Sequence, residues 1–325
     1  MRSLVTGAGG FIGGHLVRTL LERGDVVQAA DIRPEAEWKQ VHPDALNLPT
    51  MDLSIGVNAY AAADGNEVIY HLAADSGGMG YISYHHADCM TNILADTQMA
   101  RAATKTGSRI YYASSSCIYP LHIQDSPDTP PIREEDALTT WFDPEQGYGW
   151  EKLYAEFVYQ AYAHDKGLKA RIGRYYSVYG THGWYQGGRE KAPTALSRKV
   201  ATAKLTGAKS IEVWGDGTAR RTFTYVDDAI AATIAIANSD ITEPLNVGAP
   251  KASSIDELVT IIEDIAGYQV KRDYNTAAPV GVGGRPSDDT KIKNMLGWQP
   301  QVKFRDGIER TYAWVYDQVK AELGG

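Results

Sequence analysis

A chain of 325 residues with 43% hydrophobic and 22% charged residues reads as an ordinary globular protein with room for one large domain or two smaller ones. Its formal net charge of -8 argues against non-specific nucleic-acid binding, so any anionic ligand has to be held by local groups. Apolar runs such as AIAATIAIA are too short to span a bilayer, nothing at the N-terminus resembles a signal peptide, and two cysteines make no disulfide framework. A cytoplasmic protein with no membrane partner, no nucleic-acid partner and no metal is expected.

The elements begin almost at the first residue. SLVTG is an apolar strand, and FIGGHLVRTLLERG carries Phe11, Ile12, Leu16, Leu20 and Leu21 at helical spacing before Gly24 closes it. VVQAAD is a second strand. EVIYHLAA and SRIYYASSS read as later buried strands, with a helical stretch from about Ala87 to Thr106 between them. This alternation predicts an α/β fold with a doubly wound parallel sheet. After about Tyr176, Gly, Trp and Arg cluster through GTHGWYQGGREKAP and shorter elements follow. The expected division is a nucleotide-binding domain over residues 1–176, to which 222–250 returns, and a smaller domain made of 177–221 and 251–325.

Between the first strand and helix lies GAGGFIG, with Gly7, Gly10 and Gly13 three residues apart. Backbone there can approach a pyrophosphate at the helix N-terminus, so Gly7, Gly10, Phe11, Ile12 and Gly13 are candidate cofactor contacts. Asp31 closes the second strand 18 positions after Gly13, where a carboxylate accepts hydrogen bonds from an adenosine ribose and favours NAD over NADP. Arg33 pulls the other way, since arginine there accommodates a 2′-phosphate.

In YGWEK, Tyr148 and Lys152 stand one helical turn apart. An ammonium beside a phenol favours the phenolate and is expected to lower its pKa from about 10 toward neutrality. Tyr162 with Lys166 and Tyr316 with Lys320 repeat the spacing, but only Tyr148 opens a helix that follows the ASSS strand. Of the two cysteines, Cys89 sits in a helical stretch and is expected in the core, whereas Cys117 directly follows that strand. Lys191 precedes Pro193 by two residues, so it is expected at a helix N-terminus, which disfavours an ammonium. Gly77, Gly78 and Gly80 around Met79 would let backbone approach a ligand closely.

Taken together, TGAGGFIG, HLAA, YASSS, YGWEK and RRTFTYVDD make the chain resemble the extended short-chain dehydrogenase/reductase family over nearly its whole length. The resemblance implies a Rossmann sheet with a smaller C-terminal substrate-binding α/β domain, and NAD as cofactor, with Tyr148 and Lys152 among its contacts. Within the family, AADSGGMGYIS, YASSSCIYP, GGREKAP, EVWGDG and LGWQP are similar to the GDP-mannose 3,5-epimerases. That narrower likeness implies a C4 oxidation by Tyr148, Lys152 and NAD, with Ser115 bonding the reacting oxygen. It implies Cys117 as the base and Lys191 as the acid that invert C3 and C5 before C4 is reduced again. It also implies GDP-sugar contacts from Gly77, Gly78, Met79, Ser177, Lys191, Arg221 and Arg285, the two arginines meeting the diphosphate. A homodimer through the helices from Ala87 and Tyr148 follows by the same analogy. Ser177 stands where many relatives carry asparagine, and its hydroxyl offers one donor where an amide offers two.

Two other readings remain open at this point. One is a different nucleotide-sugar reaction, a 4-epimerase or a 4,6-dehydratase. Dehydratases of the family place acids after the strand's serine or threonine, where Ser116 and Cys117 stand here. The other is a non-catalytic NAD-binding sensor, against which the intact Ser115, Tyr148 and Lys152 set speaks.

Overall fold

Strand and helix alternate through the first half of a computed structural model that describes residues 1–138 and 142–324. In order come β1 (Arg2–Thr6), α1 (Phe11–Glu22), β2 (Val26–Ala30), β3 (Leu46–Leu48), α2 (Gly56–Ala63) and β4 (Val68–His71). They are followed by α3 (Met79–Ile82), α4 (His86–Met90), α5 (Asn92–Thr106), β5 (Arg109–Ser115), α6 (Gln146–Lys166) and β6 (Ala170–Tyr175). The single helical stretch expected from Ala87 is thus two helices, divided at Thr91. The second half holds β7 (Ser177–Tyr179), α7 (Ala192–Thr206), β8 (Ser210–Trp214), β9 (Arg220–Tyr225), α8 (Val226–Ala237) and β10 (Leu245–Val247). It ends with β11 (Ala252–Ser254), α9 (Ile255–Ala266), β12 (Lys271–Asn275), β13 (Gly284–Arg285), α10 (Thr290–Leu296) and α11 (Phe304–Glu322).

Seven parallel strands form the main sheet in the order β10-β6-β5-β4-β1-β2-β3. Helices cover both faces, which is why β1 after Arg2, β4 and β6 are buried residue after residue rather than alternately. Leu4, Val5, Ile69, Ile110 and Ile172 are completely buried, each contributing about 1.5–3 kcal/mol of apolar transfer free energy. Residues past Tyr176 contribute β10 to this sheet, pairing Leu245 with Gly173 and Val247 with Tyr175. The remaining strands are separate: β9 is flanked by β11, β13 and β7, and β8 pairs with β12.

The chain leaves β1 toward β2 on one side and returns to β4 on the other. That reversal opens a crevice at the C-terminal ends of β1 and β4, the place where doubly wound sheets bind ligands. The small sheet around β9 and helix α7 complete its far wall.

Candidate active site

A cavity of about 1090 Å³ fills the crevice, and every candidate site residue singled out in the sequence lines it. The volume is at the upper end for one small-molecule pocket, so there is room for more than one ligand.

Its β1 end is built for a dinucleotide. Gly7 takes φ +67°, and a Cβ on Gly13 would stand 2.1 Å from the Gly7 carbonyl oxygen, so the turn closes only with glycine at both places. Helix α1 then starts from Gly10 with no side-chain cap and no acid in its first turn, leaving its leading amides as anion donors toward the cavity. The buried Asp31 carboxylate accepts from the amides of Gly9 and Arg33, each at 3.0 Å. Arg33 also clamps it with Nε and Nη2, both at 3.1 Å. The guanidinium that could have met a 2′-phosphate is therefore spent on Asp31. Ribose hydroxyls donate to such a carboxylate, whereas a phosphate is repelled by it. Asp52, Leu53 and Ser54 extend this wall and carried no motif by which to find them.

Tyr148 enters on the first turn of α6, with Lys152 one turn below it. Lys152 is 2% exposed; its ammonium donates to Tyr112 Oη at 3.0 Å, lies 3.6 Å from Glu151 Oε1 and is 5.7 Å from the Tyr148 ring centre. The expected fall of the phenol's pKa does not occur. Burial raises Tyr148 and outweighs the pull of Lys152, while the charges of Cys117 and Glu151 add to the rise.

Behind Lys152 lies a buried polar chain. Thr6 Oγ1 accepts from the amides of Leu72 and Ala73 at 3.1 Å, so its own proton is directed at His71 Nδ1, 2.7 Å away. His71 then carries its proton on Nε2 and donates to Asp96 Oδ1 at 2.9 Å. Burial, with Lys152 beside it, pushes His71 down to about 3, so the ring is neutral. Burial also raises both Asp96 and Glu151 against the pull of Lys152. Two buried acids beside one ammonium favour keeping one of them protonated.

Cys117 follows β5 on a short helical turn whose cap is Ser115, with Ser115 Oγ accepting from the Cys117 amide at 3.1 Å. The thiol is partly exposed, and burial, followed by the charge of Glu145, holds it above the ordinary range. Cys89 is completely buried and pushed up to about 11 by burial, as a core thiol should be. Lys191 caps α7, as expected, but the main cause that lowers its ammonium is burial, opposed by Cys117.

The Gly77–Gly78 segment lines the cavity and also packs on a second loop. A Cβ on Gly78 would stand 2.2 Å from the Glu190 carbonyl oxygen, and the Gly78 amide donates to Arg189 O at 3.0 Å. Arg189 in turn bonds Asp75 and Ser76 O and lies 3.7 Å over the Tyr81 ring. These glycines let one loop lie directly on the segment that ends in Lys191. Met79 and Ser177 face the cavity beside it.

The two arginines expected at the diphosphate both line the cavity and both bond protein groups. Arg221 donates to the carbonyl oxygens of Val280 (2.9 Å) and Val282 (2.6 Å), and burial together with Arg285 lowers it to about 10. Arg285 is 6% exposed and turned inward, with Nε 2.5 Å from Gln124 Oε1 and Nη1 2.8 Å from Glu145 Oε2. Arg221 is engaged by carbonyl oxygens through its fork, whereas Arg285 is engaged through Nε and Nη1 and its Nη2 has no partner among the described residues. Glu145, Asp75 and Arg189 were missed; only the place of Glu145 before the Tyr148 helix could have pointed to it.

The family model described as the NAD dependent epimerase/dehydratase family matches residues 3–248. GDP-mannose 3,5-epimerase 1 of Oryza sativa subsp. japonica is 36% identical over 325 residues, spanning 99% of this chain and 83% of that protein. GDP-mannose 3,5-epimerase of Arabidopsis thaliana is 36% identical over 323 residues, 98% of this chain and 83% of that one. Among solved structures, UDP-glucuronic acid 4-epimerase from Bacillus cereus, in complex with UDP-glucuronic acid and NAD, is 25% identical. Its TM-score is 0.81, with 98% of this chain and 100% of that chain covered. UDP-glucose 4-epimerase from Thermotoga maritima shares the fold, with TM-score 0.86 and 24% identity over 98% of this chain and 100% of that chain.

Proposed function

The chain belongs to the NAD-dependent epimerase/dehydratase family, and from that premise we propose that it is a 3,5-epimerase acting on a GDP-hexose, with GDP-mannose as substrate. The observation that carries the reading is the pair Cys117 and Lys191, a thiol and an ammonium that reach one cavity from two different elements beside Tyr148. Exchange of hydride at C4 alone needs the phenol and no second acid–base pair.

NAD, held by the Gly7–Gly13 turn, Asp31, Tyr148 and Lys152, supplies a reversible hydride acceptor for C4. Tyr148 takes the C4 hydroxyl proton in its phenolate form, which the Lys152 charge favours against the burial that raises the phenol, and Ser115 donates a hydrogen bond to the reacting oxygen. The resulting 4-ketone acidifies the hydrogens on C3 and C5. Cys117 as thiolate removes one of them, and Lys191 as ammonium delivers a proton to the opposite face, inverting the centre. Tyr148 then returns its proton to the C4 oxygen, with no net oxidation.

Incubation with GDP-mannose in deuterated water tests this by NMR. Deuterium is expected at C5, C3 or both and not at C4, because returned hydride is the substrate's own atom. Label at C6 would make the enzyme a dehydratase, and inverted C4 without carbon-bound label a 4-epimerase; absence of any change would leave a sensor. Tyr148→Phe should abolish every step, and Cys117→Ala should spare C4 oxidation while stopping inversion.

A homodimer is part of the same reading. Trp150, Tyr154 and Phe157 stand at i, i+4 and i+7 on α6 and are 47%, 49% and 68% exposed, an apolar stripe on the helix expected to pair. The two cysteines, both unpaired, suit the reducing cytoplasm as its compartment.

A further inference from the structure

The Cys117 sulfur is faced by more charge than its role as a base requires. Arg285 Nη1 lies 3.4 Å from Sγ, close enough to donate to a thiolate. Among the described residues Arg221 and Lys191 are further cations acting on it, Glu145 is an anion beside it, and the Tyr148 phenol faces it as well. Glu145 is 2% exposed and meets the same cysteine twice, since its amide donates to the Cys117 carbonyl oxygen at 2.9 Å and its carboxylate holds Arg285 at 2.8 Å.

Arg285 is fixed from its other side by Gln124, itself completely buried and anchored through Nε2 to the carbonyl oxygens of Tyr119 and Pro120, each at 2.9 Å. The guanidinium therefore has little freedom to leave the sulfur. Arg285 Nη2 is buried without a partner among the described residues, so its forked donor set is incomplete.

We propose that Arg285 and Glu145 are a positioning pair for Cys117: the guanidinium carries the thiolate form, and the carboxylate holds the guanidinium against the sulfur and limits how much of its charge the sulfur feels. The inference rests on the role given to Cys117 above and deepens it. The burden on the thiol fits, because burial and Glu145 raise it while Arg285 lowers it. The form that takes a substrate proton is the thiolate, and the guanidinium is its prepared partner.

The test needs no sugar turnover. The rate of Cys117 alkylation by iodoacetamide is measured against pH on the NAD-loaded protein, with the label located by peptide mass spectrometry and Cys117→Ala as the blank. Glu145→Gln should move the profile to lower pH by about one unit, which is a tenfold faster reaction on the rising limb. Arg285→Met should move it the opposite way by a similar amount. Arg285→Lys, which keeps the charge without the fork, should fall between Met and the parent and carries the test if the Met variant does not fold. Profiles that coincide with the parent, or that shift in the same direction for Glu145→Gln and Arg285→Met, would overturn the pair. If the profiles shift as stated while no deuterium enters C3 or C5 of GDP-mannose, the epimerase reading falls and the pair stands.

Discussion

Gly149 touches Cys117 backbone to backbone: a Cβ at Gly149 would stand 2.3 Å from the Cys117 carbonyl oxygen. The second residue of YGWEK is thus what allows the helix bearing the phenol to lie on the turn bearing the thiol. Gly149→Ala must push the two apart, at a cost of about 1–3 kcal/mol for overpacking. We expect a lower Tm and a kcat reduced with little change in KM, measured by calorimetry and initial rates. An unchanged kcat would mean that the helix shifts without disturbing the Tyr148 and Cys117 spacing.

Asp31 restrains Arg33 and, in the proposed function, is the group that receives the ribose. Its replacement by alanine removes a charged acceptor worth about 1.5–3 kcal/mol and frees a guanidinium next to the 2′ position. Asp31→Ala should retain NAD roughly tenfold to a hundredfold less well and should gain relative affinity for NADP. Analysis of the dinucleotide released on denaturation, with competition titrations, reads both effects.

Glu151 lends itself to a stability measurement. Its folded pKa is raised, chiefly by burial, so between the ordinary glutamate value of about 4.3 and the raised value the folded protein holds a proton that the unfolded chain has lost. Stability from this group is complete below that window and declines as pH rises through it. Glu151→Gln, which mimics the protonated acid, should therefore gain Tm relative to the parent as pH climbs from about 4 toward 8. A Tm difference constant across this range would mean that Glu151 does not hold the proton.

Phe157 is the most exposed member of the α6 stripe. If two copies meet there, Phe157→Asp places a charge in an apolar contact and should weaken association at least about tenfold. Light scattering coupled to size exclusion should find the parent as a dimer and the variant shifted toward monomer. A parent that is monomeric at all concentrations would refute the dimer.

How much could be read in advance divides along sequence distance. The GAGGFIG turn, the strand ends at Asp31 and Ser115, and the helix starts at Tyr148 and Lys191 are local patterns, and the NAD-dependent epimerase fold was accessible from them. What escaped was set by partners far along the chain. Arg285 is turned inward by Gln124 and Glu145, more than a hundred residues away. The pKa of Tyr148 follows from burial contributed by the whole pocket, not from the lysine four residues on. Gly77 and Gly78 were read only as room for a ligand, since the segment at 189–191 that packs against them is invisible in local spacing.

That loop-on-loop contact makes two distant pieces of chain one exchangeable module. A chimaera that takes 74–80 from one relative and 186–191 from another must recreate the fit between Gly78 and the Glu190 carbonyl, and the bridge from Arg189 to Asp75. Grafting either piece alone would displace Lys191 although no residue of the phenol and thiol machinery had been altered. Swapped together, the pieces carry their own alignment with them.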